Sequence, residues 1–195
     1  MPSLDFSTDE FVVKQARREE MPELQIFSEA NPEYWLLTHG HPPAADDAIR
    51  GFESNPPPDM RYSEHLQFLV RSVPTMKIVG QIDVATDLRA TGVYHLGFFM
   101  TATNMHGTGF SQRLYRAYEQ WAVERGARWL RLGVVQANAR AEAFWRNLGY
   151  VEVRRQVDYV LGDLSHVLLV MVKPIAGETL RDYLEVVPRD HANPA

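Results

Sequence analysis

No cysteine occurs in this chain of 195 residues. That excludes disulfides, thiolate metal sites and a cysteine nucleophile. Long apolar runs are missing too: nothing approaches the roughly 20 consecutive apolar residues of a membrane span. The first ten residues are polar and acidic and lack the apolar core of a secretion signal. A soluble cytoplasmic protein with no membrane partner is the expectation. Positive charge is not in excess. The 20 Lys and Arg stand against 25 Asp and Glu, a net charge of −5, so no nucleic-acid partner is expected. Repeats and low-complexity segments are absent as well. What is there is 45% hydrophobic residues, enough for one domain with a sizeable core.

Residues 94–150 organise the rest. Tyr94-His95-Leu96-Gly97-Phe98-Phe99-Met100 is an apolar run of strand length, and His106-Gly107-Thr108-Gly109-Phe110-Ser111 is a glycine turn. A helix follows, with Phe110, Leu114, Ala117 and Trp121 at helical spacing and Tyr115, Tyr118 and Ala122 widening its buried face. Gly126 closes it. Trp129-Leu130-Arg131-Leu132-Gly133-Val134-Val135 reads as a strand. Asn138 opens a second helix with Ala141, Phe144, Trp145 and Leu148 inward, and Gly149 ends it.

A glycine turn between strand and helix suits an anion. The first helical N–H groups lack intrahelical acceptors, the helix dipole adds positive potential, and glycines let a phosphate approach the backbone. An ordinary tight turn fits the same residues. The P-loop pattern is absent, and Gln112 stands where the dinucleotide fingerprint needs its third glycine.

In two segments the chain resembles the GNAT superfamily of N-acetyltransferases. The family pattern Arg/Gln-x-x-Gly-x-Gly/Ala is similar to His106-Gly107-Thr108-Gly109-Phe110-Ser111. Asn-x-x-Ala-x-x-Phe-Tyr-x-x-x-Gly-Phe is similar to Asn138-Ala139-Arg140-Ala141-Glu142-Ala143-Phe144-Trp145-Arg146-Asn147-Leu148-Gly149-Tyr150. The resemblance implies one α/β domain with a mixed, mostly antiparallel sheet flanked by helices. It also implies acetyl-CoA as cosubstrate and direct transfer to a primary amine, on a small molecule or a peptide, within a ternary complex. Carried over by position, Phe99, Met100 and Thr101 pair with pantetheine. Gly107, Thr108, Gly109, Phe110, Ser111 and Gln112 hold the pyrophosphate through their backbone, and Asn138 reaches the pantetheine end. His106 and Ser111 depart from the pattern without removing backbone donors. Trp145 replaces the tyrosine that serves many members as general acid and is expected to pack on the cofactor arm.

A meander of strands precedes this stretch: residues 11–16, 65–71 and 77–85, with a helix over 18–30 after the first. Residues 32–58 are the least regular, with a short helix over 44–54 ended by Pro56-Pro57-Pro58. The family places the acceptor side here, so Tyr34, Trp35 and His39 are candidate substrate contacts. For Tyr34 and Trp35 a small satellite core fits equally. After Tyr150 come strands over 151–155 and 167–172. Pro174 closes a core of about 11–173, and 174–195 read as a polar tail with one short helix. The apolar last strand and the tail suit a homodimer.

Acetyl transfer needs a group to hold or deprotonate the amine. Asp83 and Tyr94 are the candidates, and a solvent-facing strand aspartate is the plain reading of the first. Strand alternation gives Tyr94 and His95 opposite faces and puts Tyr94 with Leu96 and Phe98. His39 and His41 have no evident third ligand, and no metal is expected. Trp145 also leaves open a non-catalytic acyl-CoA-binding or sensing domain, and a glycine turn that binds nothing would leave an interaction module.

Overall fold

The structure is a computed structural model that describes residues 4–57 and 60–191. Pro58, one of the expected helix stops, lies outside the described residues, as do 1–3 and 192–195 of the two ends.

Eight strands form one sheet: β1 (Phe6–Ser7), β2 (Phe11–Gln15), β3 (His65–Ser72), β4 (Ile78–Ala85), β5 (Val93–Thr101), β6 (Trp129–Val135), β7 (Val151–Leu161) and β8 (Leu164–Pro174). Their order across the sheet is β1-β2-β3-β4-β5-β6-β8-β7. The β5–β6 pair is parallel and the other neighbours are antiparallel, as expected for a mixed, mostly antiparallel sheet. Helix α4 (Phe110–Glu124) makes the parallel crossover between β5 and β6 and buries Phe110, Leu114, Tyr115, Tyr118, Trp121 and Ala122. They meet Phe68, Ile82, Leu96 and Leu132 of the sheet in the main core. Helix α5 (Ala139–Asn147) follows β6 on the same side, with Trp145 in that core.

The opposite face is covered by α1 (Met21–Ala30), α2 (Glu33–His39) and α3 (Asp47–Glu53), which share a second core with Leu69, Ile78 and Met100. Helix α2 corrects the irregular reading of this segment. Pro32 begins it, where a missing N–H costs nothing, and Gly40 caps its end. Trp35 and Thr38 turn inward. Leu36 and Leu37 stay exposed, which hides the helical period from a sequence reading.

Two further expectations need correcting. Residues 175–191 are no loose tail. Helix α6 (Leu180–Val186) and the turn Pro188–Asp190 pack on β6 and β8, burying Tyr183 and Val187 against Trp129 and Val170. Asp190, fully buried, accepts from Arg131 Nε at 2.7 Å, Arg154 Nε at 3.2 Å and Tyr183 OH at 2.6 Å. Nor do Tyr94, Leu96 and Phe98 share a face. Asp83 pairs with Phe98 and Val84 with Leu96, so Gly97 is an extra residue, a β-bulge. Beyond it the alternation inverts. Tyr94 and Leu96 lie in the main core, while Phe98 packs into the second.

Candidate active-site cleft

The parallel pair is short. Its register runs from Val93 with Trp129 to Leu96 with Leu132 and stops, although β5 continues to Thr101 and β6 to Val135. From Gly97 onward β5 keeps β4 on one edge while its other edge has left β6. The splayed strands open a cleft of about 1090 Å³. Phe99, Met100 and Thr101 of β5 line it, with Gly107, Gly109, Ser111 and Gln112 at the start of α4, and Asn138, Phe144 and Trp145 on α5. From the other side α2 contributes Glu33, Tyr34, Leu36 and Leu37.

At one end of the cleft sits the N-terminus of α4. Gly107 and Gly109 have φ of +77° and +79°, a backbone region costly for residues with a Cβ. A Cβ on Gly107 would meet nothing within 4 Å, so conformation and not crowding calls for glycine there. Gly107, Gly109, Ser111 and Gln112 line this end of the cleft, at the start of a helix whose first N–H groups have no helical carbonyl to accept from them. Thr108 Oγ donates to the Met105 carbonyl at 2.7 Å and accepts from Phe110 N at 3.3 Å. Thr108 and Phe110 therefore do not line the cleft; the Phe110 ring packs on Phe11 in the core. Ser111 Oγ and Thr101 Oγ1, 2.8 Å apart, tie the helix to β5. His106 lines the cleft, and burial and then Arg140 hold its pKa below the usual value.

At α5, Asn138 Oδ1 accepts from Ala141 N at 3.1 Å. The oxygen serves the helix, and the residue lines the cleft, leaving the amide's N–H donors to a ligand. Trp145 is 7% exposed. Its ring meets Phe144 at 4.9 Å, Phe99 and Tyr150 at 5.5 Å and Tyr115 at 5.7 Å. The Tyr115 and Tyr150 hydroxyls bond each other at 3.3 Å inside this cluster, and burial raises the pKa of both.

On the α2 side, Tyr34 packs against Phe98 at 5.0 Å and Trp35 at 5.4 Å, and burial pushes its pKa up to about 12. Trp35 supports that ring from the second core and does not line the cleft. His39 lies beyond the cleft, its Nδ1 2.8 Å from Thr38 Oγ1. Burial lowers its pKa. The tip of the β7–β8 hairpin holds this end of α2. Asp163 N donates to the His39 carbonyl at 2.9 Å, and His166 Nε2 bonds the Thr38 carbonyl at 2.8 Å.

Tyr94 is turned away from the cleft. Its hydroxyl donates to the Arg125 carbonyl at 2.9 Å behind α4, and burial raises its pKa. That geometry corrects its expected catalytic place. Asp83 does not line the cleft volume either, yet it stands over the bulge: its Oδ1 is 3.1 Å from where a Gly97 Cβ would be. Both its oxygens are 2.9 Å from His65 Nε2. A sequence reading missed His65, although the hairpin register offered a signal. Pairs around residues 73–77 sum to 150, so Gln67 faces Asp83, and His65 is its diagonal neighbour on the same face. Among the described residues no group of three His, Asp or Glu is placed to hold a metal, and no helix is long and apolar enough to cross a membrane.

Residues 14–150 match the model of the acetyltransferase (GNAT) family. No curated protein matches the chain in sequence. Among solved structures, a probable GNAT-family acetyltransferase from Chromobacterium violaceum aligns over 89% of this chain and 87% of its own, with TM-score 0.73 and 14% identity. The ribosomal-protein-S18-alanine N-acetyltransferase of Escherichia coli aligns over 87% and 98%, with TM-score 0.62 and 19% identity. Spermidine N-acetyltransferase of Vibrio cholerae, solved with CoA and spermine, aligns over 86% and 96%, with TM-score 0.62 and 13% identity. At such identities the likeness speaks for the fold.

Proposed function

Because the chain belongs to the GNAT acetyltransferase family, an enzyme class whose donor is acetyl-CoA, we propose that it acetylates a primary amine by direct transfer in a ternary complex. The observation that carries this reading is the splay of β5 from β6 after Leu96 and Leu132, opening onto the start of α4. The free edge of β5 at Phe99, Met100 and Thr101 offers backbone groups to the pantetheine amides, as an added strand would. The N–H groups of Gly107, Gly109, Ser111 and Gln112, which line this end of the cleft, face the diphosphate. The Asn138 amide donates to the pantetheine end, and Trp145 packs along the arm. Tyr34, Leu36 and Leu37 form the wall from which the amine enters, and Asp83 holds it. A β5 N–H near the bulge is suited to the thioester oxygen as negative charge develops there. The thiolate leaves without an obligatory acid, since an ordinary thiol has a pKa of roughly 8–9.

The test combines CoA-dependent melting with thiol release from acetyl-CoA over a panel of spermidine, phenethylamine and an alanine-ended peptide. A raised melting temperature and amine-dependent thiol release are expected. A shift without turnover would favour an acyl-CoA-binding or sensing domain, and no shift an interaction module.

A further inference from the structure

We propose that the acceptor is an apolar monoamine, an alkyl or arylalkyl primary amine, selected by Leu36 and Leu37 on a helix tied down at both ends across the cleft. The proposal rests on the acetyl-transfer reading and narrows its acceptor from any primary amine to one chemical class.

A lone exposed leucine on a convex surface needs no explanation. Two adjacent ones on the wall of a cleft do. Leu36 is 50% and Leu37 40% exposed, and both line the cleft. Helical spacing puts them there. Trp35 and Thr38 turn into the protein, while Glu33, Leu36 and Leu37, at i, i+3 and i+4, share the other face. Between Tyr34 and Thr38 the helix carries no polar side chain. The rest of the cleft adds Met105, Phe144 and Leu148 to this apolar lining.

The wall is fixed in place. A helix of seven residues is too short to hold its shape alone. At its start Glu33 accepts from Arg140 Nη2 of α5 at 3.4 Å, and Tyr34 packs on Phe98 of β5. At its end the tip of the β7–β8 hairpin takes hold, through Asp163 N on the His39 carbonyl and His166 on the Thr38 carbonyl. Two glycines let these parts meet. A Cβ on Gly162 would stand 2.6 Å from the His39 carbonyl oxygen, and one on Gly40 would stand 3.2 Å from the Leu164 side chain. Helix α2 is thus strung between α5 and the hairpin, and its leucines are presented at one place.

The charges of the cleft favour the same class. Among the described residues that line it, Glu33 is the one carboxylate, and Arg140 already shares it. The second ammonium of a polyamine finds no unpaired carboxylate there, and the carboxylate of an amino acid meets the same neutral pair. The Tyr34 phenol, its pKa pushed up to about 12 by burial, is uncharged. Peptide groups laid against Leu36 and Leu37 would lose water without gaining a hydrogen bond, which is costly. An alkyl or aryl body has no such loss and covers the two leucines.

The test compares kcat/KM with acetyl-CoA for phenethylamine, isoamylamine, spermidine and an alanine-ended peptide. The first two should exceed the others by roughly tenfold or more, the least that one methylene is worth in an apolar pocket. Leu36→Ser combined with Leu37→Ser changes exposed positions, so the fold is kept. The KM for phenethylamine should rise by roughly tenfold or more, the KM for acetyl-CoA should hold, and the advantage over spermidine should disappear. Gly162 acts through α2 and is a positioning residue. Gly162→Ala pushes the hairpin tip from the helix and should raise the KM for phenethylamine while kcat and the KM for acetyl-CoA stay unchanged. Spermidine or the peptide matching the apolar amines would overturn the class. A raised KM for acetyl-CoA in the double leucine variant would give the leucines to the cofactor, and an unchanged amine KM in either variant would remove the selecting wall. Each of these results leaves CoA-dependent melting and turnover, and with them the acetyl-transfer reading, standing. Absence of turnover with every amine would overturn both.

Discussion

The two walls of the cleft are built from different materials. The α4–α5 wall addresses a ligand with backbone: a glycine turn, the open start of a helix and an unpaired strand edge, backed by a rigid aromatic cluster. The α2 wall addresses it with side chains, Tyr34, Leu36 and Leu37, on a helix of seven residues held by a hairpin tip. A backbone wall can be built by many sequences that keep its glycines and caps, and it suits a ligand that does not vary. A side-chain wall changes with each substitution and suits an acceptor that differs between enzymes. The comparison predicts that variants of the first wall act on stability and cofactor affinity, and those of the second on the choice of amine.

Trp145 should give the largest effect, because it is the keystone of the first wall. Truncating a buried aromatic of this kind costs about 3–5 kcal/mol, and here four ring contacts go with it. Trp145→Ala is expected to lose that much in denaturant unfolding. Trp145→Phe keeps most of the packing and should keep most of the turnover at saturating acetyl-CoA. A large fall in turnover for a stable, saturated Trp145→Phe would give the indole N–H a chemical part and break the packing account.

Outside the cleft the comparable anchor is Asp190, under α6 and the turn after it. Asp190→Ala leaves Arg131 charged and nearly buried without its partner, which commonly costs 3–5 kcal/mol, so it should unfold at markedly lower denaturant. Burial raises the Asp190 pKa, but Arg131 and Tyr183 outweigh it and the net shift is downward. Its contribution is therefore present above the ordinary aspartate pKa and lost as pH falls through the lowered one. Acid unfolding of Asp190→Ala should be less steep below about pH 4, near the unfolded aspartate value. An equally steep curve would locate the acid sensitivity elsewhere.

The first wall was far more legible in the sequence than the second. Strand β6 and both helices beside it follow from periodicity, Asn138 and the glycines, because backbone devices need particular residue types at fixed spacing. Helix α2 was not legible: the proline before it, the Gly-His-Pro-Pro after it and two exposed leucines obscure its period. The bulge at Gly97 escaped because alternation assumes a regular strand, and one extra residue inverted the face of Phe98. The pairing of Asp83 with His65 needed a hairpin register rather than a motif. The packed tail was hidden because Tyr183, Val187 and Asp190 are scattered among charged residues.

Next in size is the anion end. Gly109→Glu places a carboxylate at the start of α4, in a left-handed position where a Cβ would also stand 2.9 Å from Arg113 Nη1. CoA affinity should fall about a hundredfold or more, equivalent to roughly 2.7 kcal/mol. Strain at this φ adds a stability loss on the order of 1–2 kcal/mol, so binding is to be measured by calorimetry below the melting range. Unchanged affinity in the folded variant would remove the diphosphate from this turn.

The smallest effect separates two functions within one side chain. Asn138 caps α5 with its oxygen, and in the proposed complex its nitrogen donates to the cofactor. Asp is as good a cap as Asn, and a carboxylate at a helix start is further favoured by the dipole. Asn138→Asp should therefore leave the melting temperature within a degree or two, a stability change of less than about 0.5 kcal/mol. What it removes is the amide donor. A single lost hydrogen bond of this kind is worth about 0.5–1.5 kcal/mol, so CoA affinity should fall between twofold and about tenfold. Asn138→Ala supplies the control, since it loses cap and donor together and should show both a lower melting temperature and the same affinity loss. If Asn138→Asp binds CoA as the parent does while Asn138→Ala is only less stable, the residue serves the helix alone, and the first wall would consist of backbone and aromatic packing with no side-chain donor at α5.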